Sequence, residues 1–425
     1  MTAGEATRRV IVLENGARIA LDPMPHLRTA SVGVWLAAGA RNEPPERNGL
    51  AHFLEHMAFK AAAGRDAREL AEAVERRGAV MNASTDHERT SYYVRCLSDD
   101  APDMLDVALS LVFAPEHPPA EIPREKGVVL QEIGEAADQP DDLVMELAQS
   151  ANFPGHSLGR PILGAPATLM AVTREDLFAF AAEHYTPERT VVSLAGAFDH
   201  AEVEARARRW LETRPSRPSS ESIPPSLPVS AARTAERDLE QCHLVLSRTT
   251  TNARAADRYA ARLLAEILGG GMASRLFQEV REARGLAYTI DASCEQYTDA
   301  GRLSVYAGCA PEDGAEVARI TASIWEDLAS KGPTPAELAR AQAVMKASFA
   351  MSSEGPAARA GSSAHELLTF GRLVEIGEVL DLVDAVTQED VRQAAETACL
   401  GPSVAAAVGP RAGLGAAEIF AFQSA

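Results

Sequence analysis

Apolar and polar positions along this chain follow two different periods. Alternating or β-rich runs predict strands at Val10–Leu13, Ser31–Ala37 and Ser91–Leu97, because successive side chains of a strand point to opposite faces. Apolar residues three and four apart predict helices over Ala51–Phe59, Ala67–Arg77, Met104–Phe113, Ile122–Ala137 and Arg174–Tyr185. Strands and helices interleave, yet long helices also follow one another directly. That favours an α+β architecture over a strictly alternating, doubly wound sheet.

The pattern then repeats. Ala171-Val-Thr-Arg-Glu-Asp-Leu177 is echoed by Ala385-Val-Thr-Gln-Glu-Asp-Val391, an offset of 214 (385 − 171). In each, a Thr precedes an acidic pair, the signature of a helix N-terminus. Each is followed by a helix and an apolar strand, Val191–Ala195 and Val404–Val408. Pro118-Pro-Ala-Glu-Ile and Thr334-Pro-Ala-Glu-Leu each open a long helix, at an offset of 216 (337 − 121). One element order recurring at one period predicts a duplication. Between the copies, Arg214–Ser230 is rich in Pro and Ser and has no apolar period, as a linker would be. The expected organisation is two homologous domains, 1–213 and 231–425, joined by residues 214–230. Each is a mostly antiparallel sheet packed with helices.

Composition narrows the function. The 425 residues carry 41 Lys+Arg against 60 Asp+Glu, a net charge of −19. A nucleic-acid partner would require a basic face, so that class is set aside. No stretch approaches the roughly 20 apolar residues of a membrane helix, and the N-terminal residues do not read as a secretory leader. Five scattered cysteines without a CxxC pair read as free thiols. A cytoplasmic protein is expected. The glycines Gly269–Gly271 lack the remainder of a phosphate-binding loop and follow a helix, so they read as a helix stop.

Chemistry concentrates at His52-Phe-Leu-Glu55-His56. On a helix these three polar residues share one face. Two imidazoles could then meet one metal, with a carboxylate beside its bound water. Alone, the pattern equally fits an ordinary buried helix, with Asn48 as N-cap and Phe53, Leu54 and Met57 as its apolar face. A third ligand decides between these readings. The helix Ile122–Ala137 carries Glu125, Glu132 and Glu135. Glu132 is read as facing inward with Val128 and Val129, Glu125 as lying two turns back on the same stripe, and Glu135 as facing solvent. A buried carboxylate needs a partner or a metal.

His52-x-x-Glu55-His56 followed 76 residues later (132 − 56) by Glu132 resembles the signature of the pitrilysin-like zinc metallopeptidases, the inverzincins. Gly49–Lys60 (GLAHFLEHMAFK), Gly78–Tyr93 (GAVMNASTDHERTSYY), Val128–Ile133 (VVLQEI) and His156–Gly164 (HSLGRPILG) are similar to the processing-peptidase branch, which holds the β-subunit of the mitochondrial processing peptidase and bacterial relatives. The resemblance implies a zinc endopeptidase with one Zn2+ per chain. His52, His56 and Glu132 would be the ligands, Glu55 the catalytic base, and Glu125 a carboxylate orienting a ligand. Asn82, Ala83 and Ser84 would form an edge strand that receives an extended substrate. Arg281 and Tyr288 of the second half match a pair that serves the substrate carbonyl and the oxyanion. That half has no histidine in the region opposite the zinc helix, so zinc is expected in the first half alone.

The family closes a chamber from four such domains. Two per chain imply a homodimer, with a heterodimer as the alternative. The acidic charge favours basic peptides as substrates. The competing expectation is a non-catalytic interaction subunit, against which the intact ligand set argues.

Overall fold

The computed structural model describes residues 7–217, 225 and 228–423. Residues 218–224, 226 and 227, over half of the expected linker, lie outside the described residues. The chain forms two compact units.

The first unit is built on a six-stranded sheet. Its strands are β1 (Arg9–Val12), β2 (Arg18–Pro23), β3 (Thr29–Leu36), β4 (Val80–Thr85), β5 (Thr90–Leu97) and β6 (Thr190–Gly196), in the spatial order β1-β2-β6-β3-β5-β4. All neighbours are antiparallel except β2 and β6. The second unit has five strands: β7 (Ala231–Glu236), β8 (Cys242–Thr249), β9 (Ala287–Gln296), β10 (Gly301–Cys309) and β11 (Ser403–Gly409), in the order β9-β10-β8-β11-β7. Again one pair is parallel, β7 with β11. Strand for strand, this is the first sheet without β1. Three matched strands start 213 residues apart: Arg18 and Ala231, Thr29 and Cys242, Thr190 and Ser403. The α+β duplication inferred from the repeat is the architecture found. Both expected N-caps form as well, with Thr173 and Asp176, and Thr387 and Asp390, exchanging side-chain and amide hydrogen bonds.

The units differ from the two halves of the sequence in one respect. Gly134–Arg160 belongs to the second unit and Ala350–Val374 to the first. Each unit has a sheet face to cover. In the second, helix Pro140–Asn152 lays Val144 and Ala148 on Val245, Ala406 and Val408. In the first, helix Pro356–Phe370 lays Ala360, Ala364 and Leu367 on Ala20, Val191 and Ala195. Division at 213 and 231 alone assigns these two helices to the opposite domains.

The other face of the first sheet carries the main core, and two helices of that core set up the site. Helix Leu50–Ala58 inserts Phe53, Leu54 and Met57, at most 1 % exposed. Its remaining face carries His52, Glu55 and His56. Asn48 is not its N-cap. That place is taken by Gly49 in the left-handed region at φ 96°, where a Cβ would stand 2.6 Å from the Leu163 carbonyl oxygen. The Glu43 carboxylate accepts from the amides of Gly49 (2.9 Å) and Ala51 (2.7 Å), and from Asn48 Nδ2 (2.9 Å). Asn48 is spent on that carboxylate and on the Pro161 carbonyl. The second helix, Glu121–Asp138, buries Val129 and Glu125. Val128 does not share their side and is 42 % exposed. It stands about 100° around the helix from Val129, whereas Glu125, Val129 and Glu132 follow the four-and-three spacing of one stripe.

Candidate metal centre

His52, His56 and Glu132 offer ligand atoms that all lie within 4.8 Å of one another, the only such metal-binding group among the described residues. The helix places the two rings 4.5 Å apart, centroid to centroid, inclined at 61°. Both Nε2 atoms face Glu132 Oε2, at 3.8 Å from His52 and 3.6 Å from His56. These gaps exceed a hydrogen bond. They approach the roughly 3.4 Å that separates ligand atoms set tetrahedrally at about 2.1 Å from zinc.

The protonation states suit a metal. Burial first, and the neighbouring His56 second, push His52 down to about 4, so its ring is neutral and its lone pair free. On His56, Nδ1 lies 2.8 Å from Glu125 Oε1. A proton on Nδ1 donated to that carboxylate leaves Nε2 as the lone-pair nitrogen facing Glu132. Glu125 is only 5 % exposed and its second oxygen lies 2.5 Å from Lys60 Nζ. The buried carboxylate is thus paired with an ammonium on one side and oriented to a ring on the other. His52 Nδ1 is buried with no hydrogen-bond partner among the described residues. Two imidazoles and one carboxylate on neighbouring helices form a donor set that fits zinc.

Glu55 stands on the same helical face. Burial pushes its carboxyl above the usual range, against the opposing pull of the Thr85 hydroxyl and His56. Thr85 Oγ1 donates to Glu55 Oε2, the one hydrogen bond that the Glu55 side chain makes among the described residues.

Asn82, Ala83 and Ser84 lie on β4, the last strand of the sheet order, paired on one side with β5 alone. Exposure alternates along it, with Val80, Asn82 and Ser84 outward and Met81, Ala83 and Thr85 inward. Arg281 and Tyr288 belong to the second unit. The Arg281 guanidinium sits over the Phe277 and Tyr288 rings, at 4.6 and 5.2 Å, and Tyr288 is 76 % exposed.

Comparison with known proteins gives the lineage. Residues 18–166 match the family model described as insulinase (peptidase family M16), and residues 171–345 match the one described as peptidase M16 inactive domain. The chain is 35 % identical over 418 residues to an uncharacterized zinc protease of Mycobacterium bovis, covering 96 % of this chain and 94 % of that one. The chain belongs to peptidase family M16. A second relative, an uncharacterized zinc protease of Bacillus subtilis, is 34 % identical over 381 residues, covering 89 % of this chain and 92 % of that one. A solved M16 inactive-domain protein from Pseudomonas fluorescens has the same fold, with a TM-score of 0.87 at 22 % identity over 95 % of this chain and 98 % of that one. No helix of this M16 chain is long and apolar enough to cross a membrane among the described residues. Two residues beside this candidate metal centre escape the sequence reading. Lys60 lies one turn beyond His56, but its partner Glu125 is 65 residues further along the chain (125 − 60), so the sequence does not signal the pair. Thr85 lies one place past the expected substrate strand, and the alternation of β4 turns it inward with Met81 and Ala83.

Proposed function

We propose that this chain is a zinc-dependent endopeptidase. The observation that carries the reading is the convergence of His52, His56 and Glu132, with Glu55 on the same helical face. These three residues would hold one zinc ion per chain. When bound there, zinc supplies Lewis acidity, which polarises a scissile carbonyl and makes a water more acidic. Glu55 accepts the proton of the attacking water and returns it to the leaving amine. Glu125 keeps the His56 ring in one tautomer and orientation. An extended peptide adds to the open edge of β4 at Asn82, Ala83 and Ser84 through main-chain hydrogen bonds. Arg281 and Tyr288 are assigned the oxyanion role that the resemblance implies, supported by their donor chemistry and by the exposed ring of Tyr288.

The protein acts as a homodimer enclosing a chamber, on peptides or unfolded segments, in the reducing cytoplasm. Duplicated units support the first point, and five free cysteines the last. The net charge of −19 supports a preference for basic peptides. Metal analysis of the purified protein, with cleavage of a mixed peptide library before and after chelation, tests the activity. Cleavage lost to the chelator and restored by zinc is expected; a zinc-free protein indifferent to the chelator would contradict it. Equal cleavage of acidic and basic peptides would remove the charge preference, and a monomeric mass by light scattering the dimer.

A further inference from the structure

Glu55 is a half-buried carboxylate on a helix, and no side chain of that helix hydrogen-bonds to it among the described residues. Its side chain's single hydrogen bond among the described residues comes from another element, the Thr85 hydroxyl at the end of the edge strand β4. We infer that Thr85 is the positioning residue of the base. It fixes Oε2 so that Oε1 faces the water to be deprotonated, and it ties that orientation to the strand that receives the substrate. The inference rests on Glu55 acting as the base, as proposed above.

Thr85 itself is held without help from its hydroxyl. Its backbone pairs with Thr90, a buried residue whose own hydroxyl donates to the Ala38 carbonyl. The turn that follows is closed by Asp86, whose amide donates to the Arg89 carbonyl and whose side chain accepts from the Glu88 and Arg89 amides. That turn is docked by the amides of Ala40 and Arg41, which donate to the Asp86 and His87 carbonyls. It lies so close to Gly39 that a Cβ there would stand 2.2 Å from the Asp86 oxygen. The hydroxyl is therefore presented from a rigid frame, and removing it frees the carboxylate rather than the strand. On the outer edge of β4, a peptide added as the next strand would run about 4.8 Å away. One strand then seats the peptide through Asn82–Ser84 and, at the next residue, aims the base at it.

A base out of alignment loses rate and leaves ground-state binding alone. Thr85→Val keeps the shape and removes the donor; Thr85→Ser keeps the donor and removes the methyl. Steady-state cleavage of one fluorogenic peptide is measured for both, with zinc content and thermal midpoint alongside, and with Glu55→Gln as reference. We expect kcat of the Val variant to fall about ten- to a hundredfold, with KM changed less than about twofold, zinc retained, and the Ser variant close to wild type. A Val variant at wild-type kcat, beside an inactive Glu55→Gln, overturns the role of Thr85 and leaves the base in place. A Ser variant as slow as the Val variant also overturns it, since the methyl and not the donor would then matter. A fully active Glu55→Gln overturns both readings.

Discussion

Replacing Glu125 by Gln isolates the support behind the proposed metal centre. In the native protein one oxygen of Glu125 faces His56 Nδ1 at 2.8 Å and the other faces Lys60 Nζ at 2.5 Å, with the side chain 7 % exposed. Gln presents one oxygen and one NH2 to two donors, so one of the contacts must turn repulsive. If the amide oxygen stays with His56, Lys60 loses a buried partner. If it turns to Lys60, His56 must carry its proton on Nε2, the atom that faces Glu132. Breaking one side of a buried charge pair costs about 3 kcal/mol in the metal-free protein. Disturbing the partner of a ligating histidine lowers metal affinity by roughly 10- to 100-fold, or about 1.4–2.7 kcal/mol. The difference between the zinc-loaded and metal-free unfolding free energies should shrink by that second amount. Denaturant unfolding with and without zinc, together with zinc competition against a chelator, measures both quantities. A variant that loses stability in the metal-free form yet binds zinc as tightly as wild type would refute the role of Glu125 toward His56 and leave only a packing role.

Two further predictions concern the fold around the site. His117 is fully buried, and burial pushes its pKa down to about 4 from an ordinary 6.5. The unfolded chain therefore binds that proton first: the stability is complete above pH 6.5 and about 3 kcal/mol is lost as pH falls to 4. Urea midpoints across that range should flatten in His117→Phe. Arg359 donates to both oxygens of Asp22, at 2.6 and 2.7 Å, and Asp22 is 3 % exposed. Arg359→Ala should destabilise the protein by about 3 kcal/mol, and pairing it with Asp22→Asn should recover part of the loss in a double-mutant unfolding series.

The sequence predicts what is local. The helix bearing His52 and His56 follows from its apolar spacing, β1, β3 and β5 from alternating or β-rich runs, and β6 and β11 from short apolar runs, because burial writes itself into the local pattern. The stripe also turns Glu132 inward, but its place as a third ligand follows only from the family resemblance. Contacts made by residues far apart in the chain were not legible. The carboxylate that caps the first turn comes from Glu43 across a 3-10 turn, not from Asn48. The helices Pro140–Asn152 and Pro356–Phe370 carry apolar stripes that say they cover a sheet but not which one. The continuous apolar run Val128–Leu130 does not show which of its residues faces inward, and the structure gives that place to Val129, not Val128. Thr85 shows the remaining limit. Its inward direction follows from alternation, but its partner Glu55 depends on how a helix crosses a strand.

The direct test of the central claim is peptide hydrolysis by Glu55→Gln loaded with zinc. The substitution leaves His52, His56 and Glu132 untouched, so one zinc per chain by metal analysis is expected, together with a fall in kcat of at least about a hundredfold. A Glu55→Gln protein that holds zinc and still cleaves at the wild-type rate would contradict the account.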